Sequence, residues 1–461
     1  MSRSPEPTQE GLTRVDACVR WVLSRIDGQV FQAGMRLPSI RRLARERGVS
    51  PFTVGEAYDR LAAMGRIEPR RGSGFFVLAI APPAPRRPLR TEIDRVWLLQ
   101  HMLDSGSARG PGLGVLPQAW LDGPHIAKAL RALGREGPGR WVASGGALGF
   151  EPLRGLLQHR LAGLEIVAGP DQIVLTTGIT QALDLVLRTL VHPGERVLVL
   201  EPGWFGALGL LAAHGAEPVG APCGADGPDL AQVERIVAAT RPRLMILSAT
   251  AQNPTGVTLS PQAVGGLLAI AERHEVTIFE DDVYADFGAA DAVRLAAVDG
   301  LRRVVYGGSF SKTLAPNLRA GFLAASPDLA QALVETKILT GFTTPEVNER
   351  LLHRLLQDGA HARSVRDLAG RVAACREATQ ARLEDLGFPV LGRPRSGIFL
   401  WADMGCDTNA LAQDARRLGL LFAPGGLFFA NQAPSTWTRI NVSQPLDARA
   451  MAVLAQARAG V

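Results

Sequence analysis

Apolar residues recur at helical spacing from Leu12 to Ile26 (Val15, Val19, Val22, Leu23, Ile26) and predict an amphipathic helix there. Ser39–Arg47 reads as a second, basic helix, and Ser50 to about Met64 as a third. Ser50 can cap the third, and Pro51 at its first position sacrifices no hydrogen bond. Gly48-Val49 supply the turn between the two. Two short strand-like runs, Arg66–Glu68 and Phe75–Val77, flank the turn Arg70-Arg71-Gly72-Ser73-Gly74, a β-hairpin with a basic tip. The stretch Ala79–Arg90, with prolines at 82, 83, 85 and 88, can be neither helix nor central strand and reads as an exposed, semi-stiff linker.

The pattern changes from about Asp171. Apolar β-type runs (Ile173–Thr176, Val197–Leu200, Leu244–Leu247, Val276–Phe279, Val304–Tyr306, Gly321–Ala324) alternate with helical stretches, which predicts a mainly parallel sheet with helices on both faces. Beyond Pro345 a long helical segment runs to about Leu386, followed by strands near Ile398–Trp401 and Arg439–Val442. The expected fold is multidomain: a helical unit with a hairpin wing over 11–78, a linker over 79–95, and an α/β unit over 96–461. Within the last, a large domain spans about 140–345, and a smaller α+β domain about 346–461 plus 96–139.

Composition narrows the class. With 461 residues, 46% hydrophobic and 20% charged, the chain is globular and too long for one ordinary domain. No apolar run approaches a membrane span, and the first ten residues lack a secretory pattern, so a cytoplasmic protein without membrane contact is expected. Cys18, Cys223, Cys375 and Cys406 are far apart, and neither they nor the eight histidines show metal-ligand spacing. Charge is unevenly spread. Glu10–Leu78 holds twelve arginines, no lysine and seven acids, so +5 of the total +6 lies there. Such concentration favours a polyanion such as nucleic acid, the other reading being solvated arginines on a small helical unit; the motifs below decide for double-stranded DNA.

Lysine is scarce: only Lys128, Lys312 and Lys337 stand against 47 arginines. Lys312 follows a strand in Ser309-Phe310-Ser311-Lys312-Thr313, where a guanidinium could not form a Schiff base but a tuned amine could. Thr177-Gly178-Ile179-Thr180 lies between a strand and an apolar helix, an arrangement whose free N–H groups and dipole suit an anion.

Two resemblances organise these candidates. Gly34–Arg41, Val49-Ser50, Thr53-Val54, Ala57–Leu61 and Gly72–Phe75 together resemble the GntR family's winged helix-turn-helix, in which the third helix reads the major groove. The resemblance implies DNA contacts from Arg41, Ser50 and Thr53, with Arg70 and Arg71 beside the wing; Pro51 and Gly55 depart from it, standing where many members carry arginine. Asn253-Pro254-Thr255-Gly256, Asp281-Asp282-Val283-Tyr284 and the Lys312 segment through Arg319 resemble the fold-type-I aminotransferases. That implies a pyridoxal 5′-phosphate (PLP) site. Lys312 would bear the cofactor as an imine, Asp281 would pair with the ring nitrogen, and Asn253 and Tyr284 would bond the ring's 3-oxygen. Ser309, Arg319, Ile179 and Thr180 would hold the phosphate, and Trp204 would stack on the ring. Arg439 would grip a substrate carboxylate, whereas Glu280 and Asp282 read as structural. Ser144 stands where the family usually has a tyrosine reaching the neighbouring subunit's phosphate.

Both halves in this order resemble the MocR subfamily of GntR regulators. The resemblance implies a homodimeric PLP-dependent transcription regulator that senses an amino-acid-like, amine or vitamin B6 effector. A working aminotransferase with a DNA-binding appendage is the alternative, with Lys312 and Asp281 as its catalytic residues.

Overall fold

The computed structural model describes residues 13–28, 30–70, 72–78, 93–103, 109–137, 139 and 141–459. It divides into two units, Met1–Thr91 and Glu92–Val461. Arg71 and the whole proline-rich stretch Ala79–Arg90 lie outside the described residues.

In the first unit, helices α1 (Arg14–Asp27), α2 (Ile40–Arg47) and α3 (Pro51–Ala63) precede a hairpin of β1 (Ile67–Arg70) and β2 (Gly74–Val77). Each start is sealed by a side-chain oxygen: Thr13, Ser39 and Ser50 accept from the N–H three residues on. Gly48, at φ +65°, ends α2 in the left-handed region that glycine enters freely. Val22, Leu43, Val54, Tyr58 and Leu61 form a fully buried core. Tyr58 ties three elements together. Its hydroxyl donates to Pro38 O (2.8 Å) and its ring meets Phe75 edge-on at 4.9 Å.

The second unit opens with α4 (Arg95–Leu103), α5 (Gly123–Leu133) and α6 (Glu151–Ala162). Its main sheet comprises β3 (Ile173–Thr176), β4 (Arg196–Glu201), β5 (Glu217–Gly224), β6 (Gly227–Pro228), β7 (Leu244–Leu247), β8 (Thr277–Asp281), β9 (Val304–Ser309) and β10 (Gly321–Ala324). Their spatial order is β3-β10-β9-β8-β7-β4-β5-β6. The run from β9 through β8, β7 and β4 to β5 is parallel, as the apolar runs predicted. β10 instead pairs antiparallel with both β9 and β3, because the chain returns from β9 through a short loop with no crossover helix. Successive residues serve opposite faces: Val197 and Val199 enter one core, Leu198 and Leu200 the other.

The smaller sheet, order β11-β13-β12, is antiparallel and joins β11 (Phe399–Asp403), β13 (Trp437–Asn441) and β12 (Ala423–Pro424). Two expected boundaries shift. The long helical segment after Pro345 is two helices, Glu346–Gln357 and Ala360–Asp385, broken at Gly359 with φ +69°. The first packs Leu351, Leu352 and Leu355 into the large core, so the small domain begins later than 346. The segment 96–139 also divides: Trp97, Leu98 and Leu113 join the small core, but Ala129 and Leu133 of α5 join the large one.

Candidate functional site

The parallel strands all deliver their carboxyl ends to one edge, where ligands of open α/β sheets bind. β8 ends on Asp281, and the turn after it carries Tyr284. The loop after β7 brings Asn253, β9 ends on Ser309 with Lys312 three residues on, and β3 leads through Gly178 into α7 (Ile179–Leu190). Gly178 sits at φ +85°, and a Cβ on Gly321 would lie 2.8 Å from its Cα. Glycine at both positions lets the start of α7 press onto the sheet. The first N–H groups of such a helix have no partner within it.

Lys312, Asp281, Asn253, Tyr284, Ser309, Arg319, Ile179, Thr180, Trp204 and Arg439 all line one cavity of about 210 Å³. The Lys312 amine donates to Gly114 O (2.6 Å) and stands 5.7 Å from the Tyr284 ring centre. Burial, reinforced by the Arg439 charge, lowers its pKa to about 8. Asp281 is raised to about 7 by burial, against the opposing pull of the Val283 N–H (3.1 Å) and of Lys312. Burial also lifts the Tyr284 phenol above its ordinary value. Arg439 is 1% exposed, donates to Asn253 Oδ1 (3.1 Å) and Gly112 O (2.6 Å), and lies 4.3 Å from the Phe399 ring centre. Its Nε finds no hydrogen-bond partner among the described residues, and burial lowers its pKa to about 10. Arg319 reaches Thr177 O at 3.0 Å, and Ser309 Oγ donates to Ala320 O and Ser311 Oγ.

This donor set fits PLP: an amine of lowered pKa, a buried carboxylate, and an arginine and a serine beside a helix start. Neighbouring acids do structural work, as read from the sequence. Glu280 accepts the N–H groups of Leu295 and Ala296, and Asp282 pairs with Arg294 (2.6 Å) and the Tyr306 hydroxyl (2.9 Å). Thr313 donates to Asp286 (2.9 Å), which also pairs with Arg160, so the lysine loop is pinned to the loop that follows Asp281.

The strap Arg109–Val115 was not singled out in the sequence, although it accepts hydrogen bonds from both Lys312 and Arg439. Its signal was glycine at every second position. A Cβ at Gly110, Gly112 or Gly114 would come within 2.4–2.7 Å of Leu421 O, Phe422 C or Met102 Cε respectively. Ser144 lies away from the cofactor cavity, in a cleft of about 580 Å³ with Trp141, Ile338 and Phe342.

In the first unit, Arg41 is exposed on α2, and Ser50 and Thr53 adjoin at the start of α3, their hydroxyls 2.8 Å apart. Phe52 beside them is 80% exposed. Arg70 is held by Glu68 (2.6 Å) and lies over Phe76. Among the described residues no group of three or more His, Cys, Asp or Glu could hold a metal, and no helix is long and apolar enough to cross a membrane.

Two families match in sequence: "Bacterial regulatory proteins, gntR family" over residues 19–77 and "Aminotransferase class I and II" over 141–457. The HTH-type transcriptional regulator TauR of Rhodobacter capsulatus is 31% identical, covering 87% of this chain and 86% of its own. The probable rhizopine catabolism regulatory protein MocR of Rhizobium meliloti is 29% identical over 75% and 74%. Among solved structures, the α-aminoadipate aminotransferase LysN of Thermus thermophilus, complexed with N-(5′-phosphopyridoxyl)-L-leucine, superposes with a TM-score of 0.70 at 28% identity, covering 79% of this chain and 94% of its own. With a gntR-family reader ahead of an aminotransferase class I and II domain, the chain belongs to the MocR subfamily of GntR-type regulators.

Proposed function

We propose that this chain regulates transcription by binding DNA through its N-terminal unit and an amine-bearing effector at its PLP site. The cofactor of the larger unit is pyridoxal 5′-phosphate. One observation carries the reading: ten positions scattered from 179 to 439 line a single cavity, in a chain whose first unit is a basic winged helix-turn-helix. When bound, the cofactor supplies an aldehyde that condenses with amines and a ring that draws electrons from the attached carbon.

The chain's own groups divide the remaining work. Lys312, with its pKa lowered to about 8, offers a partly neutral amine near physiological pH. Asp281 holds the proton on the pyridine nitrogen by presenting a carboxylate to it. Asn253 and Tyr284 would bond the ring's oxygen, and Trp204 would stack on the ring. Arg319, Ser309 and the N–H groups of Ile179 and Thr180 would hold the phosphate. The carboxylate of an amino-acid-like effector pairs with Arg439, whose enclosure strengthens a charge-assisted bond.

Arg41, Ser50, Thr53, Arg70 and Arg71 form the DNA-facing set. Val142, Leu339 and Phe342, each more than three-quarters exposed, favour a homodimer that covers them. A DNA-binding regulator with this composition works in the cytoplasm. Footprinting on the DNA upstream of its own gene, with and without PLP, tests the reading. Protection of a defined site is expected, and failure to find one at moderate salt overturns it.

The intact set of Lys312, Asp281 and Arg439 favours a second reading, a working aminotransferase. Repeated turnover of amino donors with 2-oxoglutarate or pyruvate would establish that activity.

A further inference from the structure

The cavity's charged groups leave one wall unclaimed. Among its described lining residues the charges are Asp281, Lys312, Arg319 and Arg439. On the reading above, Asp281 and Arg319 serve the cofactor, Lys312 occupies the place of the ligand's amine, and Arg439 takes its carboxylate. Apart from Ser311, whose hydroxyl is engaged by Ser309, the side chains without a role are apolar. Leu99, Met102 and Leu103 of α4 line the cavity together with Val115 and Phe205. Residues 99, 102 and 103 share one helix face by their spacing; Trp97 and Leu98 are buried in the small-domain core, and Leu99 and Met102 pack against its margin.

Gly114 shows how the wall is placed against the reacting groups. Its carbonyl accepts the Lys312 amine at 2.6 Å. From the position a Cβ would take on the same residue, the Met102 methyl is 2.4 Å away and Arg439 Nη2 3.6 Å. Amine, guanidinium and thioether therefore converge on one glycine. A ligand whose amino and carboxylate groups sit on the same carbon has a single further substituent to place. With the carboxylate on Arg439 and the amine toward Lys312, that substituent meets Met102 and its helical neighbours.

We propose that the effector is an α-amino acid with an uncharged aliphatic side chain, and that Met102, with Leu99 and Leu103, selects it. This rests on the PLP-sensor reading. A second carboxylate would be driven against side chains that offer it neither a cation nor a donor, which is strongly unfavourable. Arg319 is no substitute, since it already bonds Thr177 O beside the start of α7.

The test uses the full-length, PLP-loaded protein and two readouts of binding: isothermal calorimetry and the shift of the cofactor's visible band. L-Norleucine and L-leucine are expected to bind about a hundredfold or more tightly than L-glutamate and L-aspartate. Met102→Arg should reverse the order by giving the second carboxylate a partner. Leu103→Arg does the same from a position 78% exposed, where the larger side chain does not threaten folding. Glutamate binding as tightly as leucine to the unaltered protein overturns the proposal, as does selectivity unmoved in both folded variants. If no amino acid of either kind binds while the cofactor is in place, the failure belongs instead to the sensor reading.

Discussion

Arg41 and Arg45 of the N-terminal unit stand exposed on α2, while Lys312 and Arg439 of the C-terminal unit are enclosed and carry lowered pKa values. Exposed guanidiniums keep their hydration, pair loosely with phosphates and act through counterion release, which salt weakens. Enclosed cations have lost most of their water on folding, so each can recognise one anion or react as an amine, at a cost to stability. The first arrangement reads a polyanion by the sum of many weak contacts, and the second reads a small molecule by a few directed ones. Substitutions that separate these modes should rank accordingly.

Lys312→Arg carries the largest expected effect. It keeps the positive charge and removes the only amine among the described residues of the cavity wall. Covalent, borohydride-fixable cofactor should vanish entirely by mass spectrometry of the digested protein. Binding to random duplex DNA should stay within about twofold, because it draws on the exposed positive charge of the N-terminal unit, which the substitution leaves unchanged. In the unaltered protein, attachment needs the neutral amine, whose pKa is lowered to about 8. The uptake rate should therefore climb about tenfold per pH unit below that value and level off above it. A rate that keeps rising to pH 10 would place the amine in an ordinary environment.

Asp281→Asn should split function from stability. Burial raises the Asp281 pKa to about 7, so the cofactor-free fold binds a proton that the unfolded chain has already released. Stability is thus lost as pH rises from about 4 to 7, and the loss is complete above that window. The full charge cost is on the order of 4 kcal/mol. The cofactor-free asparagine variant should melt higher than the parent at pH 8, by about 2 °C or more, with the gap closing toward pH 4. Its affinity for PLP should nevertheless fall at least about tenfold, since a hydrogen bond to a charged partner is lost.

How much of each region was legible in the sequence follows from the same contrast. Lys312, Asp281, Asn253 and Arg439 stood out because only a few residue types can perform their tasks, and the fold then gathered them. The Gly110–Gly114 strap did not stand out, because it contributes carbonyl groups, which every residue has. Its alternating glycines mark close packing against Leu421 and Phe422, a contact made by chain more than 300 positions away. β5 was missed for another reason. Pro218 and Pro222 and two glycines disguise it, and it tolerates them because only its last residues pair with the two-residue β6. In the reader, caps and turns were legible from Ser50-Pro51 and Gly48, being local in sequence. Its expected DNA-contacting surface rests on position within a motif, and nothing in burial distinguishes Arg41 from other exposed arginines.

Arg41→Ala should therefore show a moderate, salt-dependent effect. If its guanidinium meets a phosphate, affinity falls by a similar factor on specific and random duplexes. The slope of log K against log salt should also become shallower by about 1. An effect confined to one operator sequence would make Arg41 a base reader instead.

The smallest effect is expected at Ser50, where structure and recognition compete for one oxygen. Its Oγ accepts the Thr53 N–H at 3.1 Å and meets the Thr53 hydroxyl at 2.8 Å. Ser50→Ala removes a cap and should lower the stability of the N-terminal unit by about 1 kcal/mol. Ser50→Asn keeps an acceptor suited to the cap and should restore that stability in thermal melts. DNA affinity then discriminates. If it recovers with the asparagine, Ser50 acts by holding the start of α3; if it stays low in a variant as stable as the parent, the hydroxyl itself touches DNA.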